Sequence, residues 1–366
     1  MVENKVKSAY LHIPFCKSIC SYCNFCKIFY NEDMVNRYLD CLEKEVRNRY
    51  QGEVLDTIYI GGGTPSCLSL KQLERLFQIV DILRKGNDFE YTIECNFDSM
   101  TKEKLELFQK YEVNRLSFGL ESISSKNLKL LERKESKEKV EEVIFLAKTL
   151  GFSNINIDLM YAITTEDRKD LEKDLAFILS LDIPHISCYS LMIEENTKLY
   201  LKKIKYIDEE LDFFMYNDIC NKLKKKYHHY EVSNFAKEGY ESRHNLAYWN
   251  NLEYYGFGLS AAGYLENVRY TNTRSISSYL RGKTVYEKEV LDKNSKMSYE
   301  MILGLRKLDG VSKNDFYLKY QEKVEEVFAI SCLIEKGWLL DEDGYLKIRE
   351  ENIYISNEVL VYFLKE

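Results

Sequence analysis

The chain has 366 residues, 45% of them hydrophobic and 30% charged, enough for one large domain and a smaller one. A formal charge of −7 argues against broad nucleic-acid binding, which needs a basic face, and no stretch of about 18 or more uncharged apolar residues is present to span a membrane. Ten cysteines, behind an N-terminus that lacks the apolar core of a signal peptide, point to a reducing, cytoplasmic setting in which free thiols and metal ligands are the default.

Taken in chain order, short apolar runs alternate with longer amphipathic ones. Strands are expected at Ala9–Ile13, Thr57–Ile60, Tyr91–Glu94, Arg115–Gly119, Asn154–Met160 and Ile186–Ile193. Helical periodicity marks Met34–Arg47, Leu70–Leu83, Lys102–Tyr111, Lys137–Leu150, Asp167–Leu181 and Glu209–Lys226. This alternation predicts an α/β fold, a parallel sheet in a partial (β/α)6 TIM-like barrel rather than a closed eight-fold one. The rhythm changes after Phe235, so residues 1–235 read as the core domain and 236–366 as a C-terminal one. Gly239 to Tyr264, rich in aromatic residues and glycine, reads as irregular structure against the barrel. From Ser298 onward, two or three helices precede two apolar runs joined by Asp343-Gly344, a hairpin signal, and together they read as a small winged-helix-like module. That module carries 7 Lys/Arg against 12 Asp/Glu from Val311 to Glu366, which disfavours a DNA-binding wing.

The chemistry begins directly after the first strand. Cys16, Cys20 and Cys23 stand in C-x3-C-x2-C spacing, and three thiolates so close can cap three irons of a cubane cluster and leave a fourth open. A zinc site completed by Cys26, or unrelated structural thiols, are the alternatives. Gly61-Gly62-Gly63-Thr64 follows the second strand, where consecutive glycines let backbone amides approach a ligand or simply make a tight turn. Glu94 ends the third strand and Glu121 follows the fourth. Asp158 interrupts the otherwise apolar fifth strand, where a carboxylate needs a partner. His12 reads as a satisfied core residue, and His228 and His229 as solvent-facing.

Tyr10–Phe25 (YLHIPFCKSICSYCNF), with Gly61-Gly-Gly-Thr-Pro65 and Asn156-Ile-Asp-Leu-Met-Tyr161, resembles the radical S-adenosylmethionine (SAM) superfamily, from about Ser8 to the C-terminus. Within it the chain is similar to the branch of HemW-like heme chaperones and oxygen-independent coproporphyrinogen III oxidases. The resemblance implies a [4Fe-4S] cluster on Cys16, Cys20 and Cys23, with SAM at the open iron and one-electron cleavage to a 5′-deoxyadenosyl radical. It further implies SAM contacts by Tyr10, Tyr22, Gly62, Gly63, Thr64, Glu94, Glu121, Arg133 and Asp158. Position 121 usually holds Gln in the family, so a glutamate there keeps the acceptor and loses the donor. The loop after Tyr161 also departs from the family's Gly-Leu-Pro-Gly, reading Ala-Ile-Thr-Thr. Arg243-His-Asn-Leu-Ala-Tyr-Trp249 is similar to the chaperone signature. Its His244 can offer an imidazole, and its aromatics flat walls, to heme, or His244 can serve local structure and Trp249 pack on the barrel. The implied function is a heme chaperone, with heme or porphyrin as cargo, an electron donor such as flavodoxin or ferredoxin, and a heme-accepting apoprotein as partners. The alternative is an enzyme, the coproporphyrinogen III oxidase, releasing two CO2 from propionate chains.

Overall fold

The computed structural model describes residues 6–364. Residues 1–5, on which the reading of the N-terminus partly rests, lie outside the described part. Six parallel strands form the centre: β1 (Ser8–Ile13), β4 (Val54–Gly62), β5 (Arg84–Cys95), β6 (Arg115–Glu121), β7 (Asn154–Tyr161) and β8 (His185–Ser190). They lie side by side in that order, each hydrogen-bonded in parallel register to the next. The cysteine loop between β1 and β4 carries a two-residue parallel pair, β2 (Phe15–Cys16) with β3 (Ile28–Phe29).

Helices α1 (Glu32–Arg49), α2 (Leu70–Val80), α3 (Lys102–Lys110), α4 (Ser125–Leu131), α5 (Lys137–Thr149) and α6 (Arg168–Ser180) return the chain between strands. The short α7 (Lys198–Leu201) and then α8 (Glu209–Leu223) follow β8. Except at α4, their starts are set by short polar side chains that accept from orphan amides. Ser69 with Gln72, and Asp167 with Asp170, form full capping boxes. On α1, Val35, Tyr38, Leu39, Leu42 and Val46 make one buried stripe at helical spacing. The core runs continuously from this layer along the helix-facing side of the sheet, through Ile58 and Ile60, Ile93, Leu116 and Phe118, and Ile155 and Ile157.

The sheet does not stop at the sixth unit. On one edge it adds β10 (Asn234–Ala236) and β9 (His228–Glu231), so it crosses the domain boundary expected at 235. Gly239 to Tyr264 is not irregular, as its composition suggested. It holds α9 (Arg243–Trp249), β11 (Tyr254–Phe257) and β12 (Ala262–Leu265). β11 pairs in parallel with β1, and β12, β13 (Val268–Asn272) and β14 (Val285–Val290) continue antiparallel to the far edge. Four-residue strands studded with glycine show too little alternation to stand out in sequence; pairing with β1 makes them strands. His229 is likewise not solvent-facing. It is 4% exposed and stacks on Phe235 at 4.2 Å, while His228 is exposed.

After the short α10 (Ile276–Tyr279), α11 (Lys293–Gly304) leads into the C-terminal module of β15 (Val311–Ser312), α12 (Lys313–Tyr320), β16 (Leu339–Glu342) and β17 (Tyr345–Ile348), with further helical turns between α12 and β16. β16 and β17 form the expected hairpin across Asp343-Gly344, both with positive φ (52° and 81°), the backbone that the turn requires. Among the described residues no helix is long and apolar enough to cross a membrane.

Candidate cofactor site

The cysteine loop is pinned from three sides. Gly63 and Thr64 donate their amides to the carbonyls of Ile13 and Phe15, at 2.9 and 2.8 Å. Ser21 donates its amide to Leu131 and its hydroxyl to Leu130, tying the loop to the end of α4. His12 bridges the phenol of Tyr10 at Nδ1 and the Cys26 carbonyl at Nε2, both at 2.9 Å. Burial holds the His12 pKa down at about 4, so this imidazole is neutral, donating through one nitrogen and accepting through the other. It is the satisfied core residue that its place on β1 suggested.

All ten cysteines are free thiols. Cys16, Cys20 and Cys23 line one cavity, of about 360 Å³. Cys26 turns away from it, its Sγ toward the Arg274 carbonyl at 3.7 Å. Each of the three lining cysteines has a donor or cation beside it. Thr64 points its hydroxyl at the Cys16 sulfur and Arg133 its Nη1 at the Cys20 sulfur, both at 3.6 Å. Lys27 donates to the Cys23 carbonyl and favours the Cys23 thiolate. Burial pushes the Cys16 thiol up to about 11, with the other two thiols adding to the rise, so these thiolates need cationic partners. Among the described residues no three His, Cys, Asp or Glu converge on one point as a single-ion site requires. A cubane spreads its three ligands over three irons, and three loop thiols with neighbouring donors fit that demand.

The remaining walls come from inward-facing strand positions. Gly62, Gly63 and Thr64 form one side, and Glu94, Glu121, Asp158, Tyr22 and Arg133 line the same cavity. Glu94 accepts from the Gly62 amide at 2.8 Å and the Tyr59 hydroxyl at 3.0 Å, yet burial pushes its pKa to about 7. Burial does the same for Glu121, to about 7, against the opposing pull of Arg133, whose Nη1 is 3.6 Å away. Asp158 is raised by burial too, despite accepting from the Asn156 amide at 2.8 Å. Three carboxylates held above their ordinary range in one cavity suit a ligand that brings positive charge.

Glu121 also settles its own departure from the family pattern in local terms. It accepts a 2.9 Å bond from the Tyr22 hydroxyl, a job that needs an acceptor only. Its φ of 65° lies at a bulge between β6 and β7, a strained backbone that turns the carboxylate toward the cysteine loop. The three glycines are needed for packing within the protein itself. A Cβ at Gly61 would lie 2.7 Å from the Glu94 carboxylate, at Gly62 2.5 Å from the His12 ring, and at Gly63 2.8 Å from the Phe15 carbonyl.

Two named residues stand outside the cavity. Tyr10 lies behind Tyr59, ring centroids 6.1 Å apart, and bonds to His12. His244 is 1% exposed at the floor of the barrel. Its Nδ1 bonds to Thr57 and its Nε2 to Tyr248, both at 2.8 Å, and burial lowers its pKa to about 3. Glu90, at the start of the β5 core run, accepts the Arg243 and His244 amides at 3.0 Å, so α9 plugs the N-terminal mouth of the strands. No nitrogen of His244 is left to present to an iron; of the signature, Asn245 reaches the cavity wall. Sequence reasoning missed Tyr59, Arg115, Ser117, Asn156, Ser187 and Tyr189 on that wall. Their signal was the two-residue period of inward positions, such as Asn156 and Asp158 or Arg115 and Ser117.

A partial parallel barrel with its cysteine loop at the strands' C-terminal ends is the architecture of the radical SAM superfamily. The Radical SAM superfamily model matches residues 10–178, and the HemN C-terminal domain model matches 291–355. The chain is 36% identical over 378 residues to a protein named heme chaperone HemW from Bacillus subtilis (strain 168), covering 99% of this chain and 100% of that one. It is 30% identical to heme chaperone HemW of Escherichia coli (strain K12), with 100% of both chains covered. Among solved structures, coproporphyrinogen III oxidase (HemN) from Escherichia coli shares the fold at a TM-score of 0.87 and 19% identity, covering 98% of this chain and 90% of that one. The chain belongs to the HemW family of the radical SAM superfamily.

Proposed function

We propose that the protein is a heme chaperone that holds a [4Fe-4S] cluster on Cys16, Cys20 and Cys23, binds SAM beside it, and passes heme to an apoprotein. The observation that carries the cofactor part is the convergence of three loop cysteines, a glycine loop and three carboxylates on one cavity. When bound, such a cluster supplies one-electron reduction of SAM. Thr64, Arg133 and Lys27 stabilise the ligand thiolates, and the hydrogen bond from Tyr22 to Glu121 orients both side chains. Glu94 and Asp158 supply the negative charge that holds the ammonium group of SAM.

Heme delivery rests on full-length similarity to proteins named heme chaperone HemW. At the cavity rim, Phe25 and Met192 line the opening while 64% and 63% exposed, apolar walls suited to a flat macrocycle. The axial ligand is not taken from His244, whose nitrogens are both engaged. The test is anaerobic reconstitution followed by two parallel assays, heme uptake read as a Soret band and CO2 release from coproporphyrinogen with SAM and reductant. A Soret band without CO2 release is expected. Robust CO2 release without heme uptake would refute the chaperone reading in favour of the oxidase, whose fold this chain shares.

A further inference from the structure

Arg115 opens β6, in direct register with Thr92 of the neighbouring β5. Its side chain runs inward and lines the cavity, yet the residue is only 2% exposed. Among the described residues no carboxylate lies within ion-pair distance of it, and its Nε has no hydrogen-bond partner. The Thr92 hydroxyl, fully buried on the same face, has none either. The nearby acids are committed elsewhere: Asp158 to Asn156, Glu94 to Gly62 and Tyr59, and Glu90 to the start of α9. A buried guanidinium without an acceptor is costly, and structures keep one where a ligand completes it. Arginine is also the side chain whose donor fork matches a carboxylate.

We propose that Arg115 is an anion-binding residue of the cavity and takes a carboxylate of the bound ligand, either a tetrapyrrole propionate or the methionine carboxylate of SAM. This rests on the function proposed above and names the polar contact its ligand makes. The cavity then has two regions of opposite charge. The carboxylates toward the cysteine loop receive the cationic part of a ligand, and Arg115, deeper among the strands, receives an acid.

The experiment compares reconstituted wild-type protein with Arg115→Met and Arg115→Lys. Four probes are titrated: iron protoporphyrin IX, its dimethyl ester, SAM, and decarboxylated SAM. The expected result is at least tenfold weaker binding of one carboxylate probe by Arg115→Met, partial retention by Arg115→Lys, and no difference between proteins for the matching probe without its carboxylate. Loss confined to the heme arm assigns the propionate; loss confined to the SAM arm assigns the methionine carboxylate. The melting temperature of ligand-free Arg115→Met should hold or rise, because an unpaired buried cation has been removed. A large fall in melting temperature, unchanged affinity for both carboxylate probes, or equal loss for the neutralised ones would overturn the proposal. If wild-type protein takes up no heme at all, the chaperone reading fails while the SAM arm still tests Arg115.

Discussion

Replacing Gly62 by alanine tests whether the glycine loop and the cysteine loop are one mechanical unit. Gly62 has φ +116°, and an added Cβ would meet the His12 ring at 2.5 Å. The backbone term alone is worth about 1–2 kcal/mol. The ring cannot slide aside cheaply, because its two nitrogens are bonded to Tyr10 and Cys26 and the residue is 5% exposed. Displacing it forfeits two hydrogen bonds of about 1 kcal/mol each. The expected destabilisation is therefore about 3–4 kcal/mol. Gly239→Ala is the control, since its φ is +80° with nothing within 4 Å of the new Cβ, and it should cost about 1 kcal/mol. Urea denaturation of the apoproteins under reducing conditions measures both. In a His12→Ala background, Gly62→Ala should cost only its backbone term, because the ring that it strikes is gone. Since His12 holds the Cys26 carbonyl, Gly62→Ala should also lower iron content after reconstitution. If Gly62→Ala costs no more than Gly239→Ala, or its cost is undiminished without His12, the coupling argued here is wrong.

Alanine at Cys16, Cys20 or Cys23 should each abolish the roughly 410 nm absorption of the reconstituted cluster, while Cys26→Ala keeps most of the iron; the reverse pattern for Cys23 and Cys26 would refute the ligand set. Below pH 6.5 the unfolded chain protonates His244 and the folded one does not until about pH 3, so folding stability falls with acidity across that window, by up to about 1.4 kcal/mol per pH unit. Denaturation curves for His244→Gln should show a shallower acid limb than wild type, and an identical limb would remove His244 from the account. Heme added to His244→Ala should give a Soret band at the wild-type wavelength, whereas a shift would return the axial ligand to His244. Glu94 carries the opposite sign, its carboxyl raised to about 7 by burial, so wild-type stability falls as pH rises from about 4.5 to 7. Glu94→Gln, compared by denaturation across that range, should escape this loss.

The sequence by itself determined the six βα units, the Asp343-Gly344 hairpin and most of the cavity. Apolar period, turn residues and cysteine spacing are local signals, legible wherever one segment folds largely by its own pattern. Eleven of the thirteen named site residues line the cavity in the folded chain, among them Tyr22 and Arg133, to which only the family resemblance pointed. What the sequence left open depended on partners far away along the chain. Gly239 to Tyr264 looked irregular because β11 becomes a strand through pairing with β1, some 245 residues earlier. His244 could be read as offered to a ligand or as serving local structure, and the fold decides for structure, because Thr57, 187 residues away, and Tyr248 take both its nitrogens. His229 looked solvated until Phe235 stacked on it. The glycine run read as a bed for ligand or as a tight turn, and only the fold shows that the space each Cβ would fill belongs to Glu94, His12 and Phe15. Arg115 gave no sign of its place, since a guanidinium is conspicuous only once the surrounding acids are seen to be bonded elsewhere. Tertiary structure decided these points because hydrogen-bond satisfaction and close contact are properties of pairs, and a sequence read segment by segment shows only one member of each.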